Sequence, residues 1–78
     1  MPTVLRTGSF RFHFYSDEKN EPPHIHVATP DGECKFWLSP VKLAGSKNVA
    51  PHVLRQIEKL VFEHQPFLTD KYNDFLKS

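Results

Sequence analysis

Along the first half of the chain, apolar and polar residues alternate. Phe10, Phe12 and Phe14 are interleaved with Arg11 and His13 and followed by Tyr15, so an extended strand puts the three phenylalanines on one side. Residues 24–28 (His-Ile-His-Val-Ala) and 34–38 (Cys-Lys-Phe-Trp-Leu) alternate in the same way, with Trp37 turned outward. Pro30, Asp31 and Gly32 lie between these two runs and predict a hairpin turn. A short strand over residues 3–5 is expected to pair with residues 10–15 through the turn at Thr7 and Gly8. From Pro51 the period changes. Leu54, Ile57, Leu60, Val61 and His64 recur at three- and four-residue spacings, as one face of a helix requires. Pro51 suits a first helical position, and Pro66 ends or kinks this helix. Phe67, Leu68, Tyr72, Phe75 and Leu76 then form a second stripe. Residues 17–23 read as a polar loop and 39–49 as an irregular connection.

The fold class these periods predict is α+β. An antiparallel sheet of about four strands, over roughly residues 3–43, carries two helical pieces, over about 50–77, on one face, and residues 1–78 make a single domain. Register sorts the side chains. If Asp31 and Gly32 form a two-residue turn, Val27 pairs with Phe36 and Ile25 with Leu38 on the core side, while His26 faces Trp37 on the other. A loop longer by two residues preserves both sets, and a one-residue slip mixes them. With the helices over Phe10, Phe12, Phe14, Ile25, Val27 and Phe36, the uncovered face carries Arg11, His13, Tyr15, His24, His26, Lys35 and Trp37.

Composition narrows what that face does. A chain of 78 residues buries only about 60% of its unfolded surface, so a homodimer or a small cognate protein is an expected partner. Ten Lys and Arg against nine Asp and Glu leave a net charge of +1, too little for a global field towards nucleic acid or membrane. Cys34 is the only cysteine and reads as a small core residue. It fits a reducing, cytoplasmic setting, and no apolar run approaches a membrane span.

Several readings of the face stay open. A polar outer surface, a dimer interface anchored by Trp37, Tyr15 and Arg11, or a tryptophan packed under a loop would each account for it. Stacking aromatics beside Arg11 and Lys35 would also suit single-stranded RNA. His24 and His26 point the same way and could share zinc or another divalent metal, with Glu33 and His13 as further ligands. Imidazole acid–base chemistry could use His24 or His26, with Lys35 or Arg11 stabilising a phosphorane. No phosphate loop, nucleophile signature or carboxylate pair is present, which removes most other enzyme classes.

The chain opens MPTVLR and continues with FRFHFYS, NEPPHIHV and CKFWLSPV, followed by the helical pattern through Leu54, Ile57, Leu60 and Val61. In these segments it resembles the bacterial domain-of-unknown-function family 4160, most specifically at Pro22, Pro23, His24, Ile25 and His26. Many relatives carry a histidine where this chain has Asn20, and Trp and His where it has Tyr72 and Asn73. The resemblance implies a small prokaryotic protein, commonly encoded beside a second small domain of unknown function (family 2442) in a toxin–antitoxin-like pair. The expected function is therefore a binding or interaction module using the exposed His and aromatic face. The alternative is a small RNA-cleaving nuclease or metal-dependent hydrolase centred on His24 and His26.

Overall fold

The alternating first half does form strands. The computed structural model describes residues 3–15 and 20–77; residues 17–19 of the expected polar loop lie outside them. The strands are β1 (Thr3–Thr7), β2 (Phe10–His13), β3 (His24–Ala28), β4 (Glu33–Leu38) and β5 (Val41–Lys47), followed by α1 (Pro51–Glu63) and α2 (Gln65–Lys77). The sheet is an antiparallel meander in the order β1-β2-β3-β4-β5, with the two helices packed against it. The α+β class therefore holds, with five strands where about four were expected. The fifth lies within the stretch read as an irregular connection. It occupies the sheet edge, and all its residues but Val41 are exposed, so no buried face imposed alternation on its sequence.

The core is the set that the pleat and the helical period select. Phe12, Phe14, Ile25, Val27, Cys34, Phe36 and Leu38 from the sheet meet Ile57 and Val61 of α1 and Leu68 and Tyr72 of α2. Phe10 packs at its margin. Burial, followed by the charge of Glu33, pushes the Cys34 thiol up to about 11, in keeping with a core residue. Pro51 takes the first turn of α1 and Pro66 the first turn of α2, where a missing N–H breaks no intrahelical bond. Between them the His64 N–H donates to Leu60, and the Gln65 side chain donates to the Leu38 carbonyl at 3.0 Å, fixing the start of α2 to the end of β4.

The register departs from the two-residue turn. Ala28 pairs with Glu33, leaving a four-residue loop, and His24, not His26, stands opposite Trp37. The shift is two residues, so the two faces keep their expected membership. Thr29 sets the longer loop: its hydroxyl accepts from the Gly32 N–H at 2.9 Å, and its own N–H donates to the Gly32 carbonyl at 2.8 Å. Gly32 is not at positive φ. A Cβ there would lie 2.0 Å from the Lys47 carbonyl oxygen, so the glycine serves a close approach between loop and β5. Gly8, at φ +59°, is the glycine that a turn conformation requires, in the two-residue connection between Thr7 and Phe10.

Candidate functional site

Opposite the helices, the register arranges side chains in rows across the strands. One row runs Arg6, Arg11, Ala28, Glu33, Lys47. The next runs Thr3, His13, His26, Lys35, Gly45, and a third His24, Trp37, Lys42. Six of the seven residues expected on this face stand in these rows, because a period of two cannot send them elsewhere, and Tyr15, past the end of β2, reaches the face through its ring.

Their exposure differs from the expectation. His13, His24 and His26 are 0%, 1% and 6% exposed, whereas Arg11, Tyr15, Lys35 and Trp37 are half-buried around them. The three imidazoles are a floor, and the expected open histidine surface is corrected to a closed one. Among the described residues, Tyr15, the chain at residues 21–22 and Tyr72 contribute to the cover. Tyr15 sets its ring edge-on at 4.4 Å from His26 and 5.0 Å from His13. Near Pro22, the Glu21 carbonyl accepts from the Tyr72 hydroxyl of α2 at 3.0 Å, and the Tyr72 ring stands 5.5 Å from His24. His24 Nδ1 lies 2.9 Å from the Pro22 carbonyl oxygen, which fixes that nitrogen as the donor and ties the Pro-Pro segment to the start of β3. Read physically, the Pro-Pro-His motif is a clasp: two prolines stiffen the approach and the histidine binds the backbone it follows.

Around the floor are two polar pairs. The Tyr15 hydroxyl donates to both Glu33 carboxylate oxygens at 2.9 Å, and His26 Nδ1 lies 3.5 Å from the same carboxylate. Lys35 is ion-paired with Glu21, and its ammonium sits 4.8 Å from the centre of the Trp37 ring. Arg11 donates to the Thr3 hydroxyl at 3.1 Å, one row away from the imidazoles. His13 is different. Its ring stacks on His26 at 5.7 Å, yet neither ring nitrogen has a hydrogen-bond partner among the described residues. Burial, reinforced by the Arg11 guanidinium, lowers its pKa from 6.5 and so favours the neutral ring.

Chemically, a carboxylate facing His26 could orient that ring for proton transfer, and the Lys35–Trp37 pair offers a flat cationic contact. The rings of His24 and His26 meet at 87°, and no three His, Cys, Asp or Glu side chains converge for a metal ion among the described residues. Glu21 and Tyr72 were not singled out from the sequence as site residues. Glu21 falls in a loop with no period, and Tyr72 reads equally well as part of the helical stripe. Glu33 was legible, since alternation from Lys35 and Trp37 puts it on their face.

Fold and site together define a small α+β domain with a histidine floor beneath an aromatic and charged rim. The chain belongs to the family described as Domain of unknown function (DUF4160), whose model matches residues 9–73. No curated protein and no solved structure matches it. No helix among the described residues is long and apolar enough to cross a membrane.

Proposed function

We propose that this chain is a cytoplasmic protein-binding module, one component of a toxin–antitoxin-like pair, which offers Trp37, Tyr15 and Lys35 to a small cognate protein. The observation that carries the reading is the Lys35–Trp37 pair. Glu21 holds the Lys35 ammonium against the indole, so a large flat side chain and a cation are already ordered on the sheet face before a partner arrives. Ordering in advance lowers the entropic cost of association, and half-buried Trp and Tyr are the residue types that dominate interface energies. The histidines act beneath them, as the support that sets the height of Tyr15 and Trp37. Co-expression with the product of the neighbouring gene tests this. A stable complex that Trp37→Ala weakens supports the module, and two products that never associate end it.

A second reading, metal-independent RNA cleavage at His26, is favoured by the Glu33 carboxylate 3.5 Å from Nδ1. Carboxylate and imidazole in this relation make a base whose ring is held in one orientation. Incubation of the protein with single-stranded RNA in chelator, beside His26→Gln, decides it: cleavage lost in the variant supports the reading, and intact RNA with the unaltered protein rejects it.

A further inference from the structure

The partner-binding reading names a face but no edge, and β5 supplies one. Among the described residues this strand pairs with β4 alone, with a bulge at Ala44 where the register shifts between Gly45 and Leu43, so its other side is an open edge on either side of that irregularity. Its side chains sort by face. Lys42 and Lys47 stand on the Trp37 side, opposite Trp37 and Glu33, while Leu43 stands on the helix side, opposite Phe36. Between the lysines, Gly45 stands opposite Lys35 and leaves open space where a side chain would be. The result is a depression of about 400 Å³ whose lining includes His26, Glu33, Cys34, Lys35, Gly45 and Lys47.

Charge decides what would fill it. Lys42 and Lys47 are exposed and make no ion pair among the described residues. Glu33, opposite Lys47 on the ladder, is turned to Tyr15 and His26, and Lys35 is held by Glu21. On the helix side Leu43 is 39% exposed; Phe62 of α1, 72% exposed, lines a groove with Val41 of β5, Arg55, Glu58, Lys59 and Glu63, whose charges balance. A second copy of β5 would bring four lysines to one seam, which like-charge repulsion disfavours.

We infer that β5 is a strand-addition edge for an extended acidic segment of the cognate protein. Acidic side chains of that segment alternate with apolar ones: the acids face Lys42 and Lys47, one of them entering the depression over Gly45, and the apolar residues lie beside Leu43 and Phe62. Backbone hydrogen bonds supply the attachment and the alternation supplies the choice of partner. This inference rests on the partner-binding reading and adds the recognition chemistry.

The test uses the full chain, with two blocked synthetic peptides matched to the length of β5, one alternating glutamate with valine and the other lysine with valine. Backbone amide resonances are followed during titration. The expected result is saturable shifts and slowed exchange in β5 with the glutamate peptide, weakened by salt and absent with the lysine peptide. Lys42→Glu with Lys47→Glu should exchange the preference, and the single Lys47→Glu should lose several-fold in affinity for the glutamate peptide. Because both lysines are exposed, the spectrum itself reports that these variants fold. Equal binding of both peptides, shifts confined to other elements, or β5 shifts that track protein concentration without peptide would each overturn the inference. Capture of the neighbouring gene product unchanged by the double charge variant would overturn it while leaving the partner-binding reading standing.

Discussion

On the helix side of the sheet, Phe12, Ile25, Val27 and Phe36 are sealed by Ile57, Val61 and Leu68; on the other side, His13, His24 and His26 are sealed almost as completely by Tyr15, Tyr72 and the chain around Pro22. The first layer is closed by area alone, and hydrocarbon of similar volume would serve in many arrangements. The second mixes ring packing, which holds His13 against Tyr15 and His26, with directed contacts such as His24 Nδ1 on the Pro22 carbonyl, where a given nitrogen must meet a given oxygen. One face therefore tolerates chemistry that keeps volume, while the other depends on which atom stands where. The difference also separates stability from recognition: the polar layer holds up a rim that retains open surface, and the apolar layer does not.

Truncation should hurt the apolar layer most. Phe36→Ala is expected to cost about 3–5 kcal/mol, enough to unfold much of so small a domain, with Phe36→Leu losing far less; denaturant melts measure both. On the polar layer, His24→Ala should cost about 2 kcal/mol, since it empties a buried site and leaves the Pro22 carbonyl without its donor. Increased protease cutting near residues 20–23 should accompany that loss if the histidine is the clasp. Unaltered cutting and stability would show the clasp to be incidental.

A smaller effect separates His13 from both layers. Its folded pKa lies below the ordinary 6.5, so the unfolded chain takes up the proton first. The stability tied to its neutral form is present above that value and is lost as pH falls below it. Melting midpoints should therefore decline from about pH 7 to about pH 5 in the native chain and decline less in His13→Phe, which keeps a ring and removes the titration. Parallel declines would show that other groups carry the acid sensitivity.

Much of this is legible in the sequence, and what is not has physical causes. Alternation in residues 10–14, 24–28 and 34–38 assigned every side chain to its face, because a two-residue repeat has only two outcomes. Pro51 marked the first turn of α1, and Pro66, read as the end or kink of that helix, falls in the first turn of α2 just past its end. The hairpin around Pro30, Asp31 and Gly32 forms, with the loop longer by the two residues that leave both faces unchanged; the two-residue turn fails because Gly32 answers the approach of Lys47 from a strand that the sequence does not announce. Burial of the histidines could not be inferred from the sheet pattern alone. Their cover comes from Tyr15, from Tyr72 and from Glu21, whose backbone holds Tyr72, and these are brought together by long-range packing.

The central claim is that the rim binds and the floor supports. Affinity for the neighbouring gene product, measured by titration calorimetry for the native chain, Trp37→Ala and His13→Phe, tests it most directly. With both variants folded, Trp37→Ala is predicted to weaken the complex by roughly tenfold or more, while His13→Phe at neutral pH leaves the affinity close to native. The reverse pattern, native affinity in Trp37→Ala and loss in His13→Phe, would contradict the account and move recognition into the histidine floor.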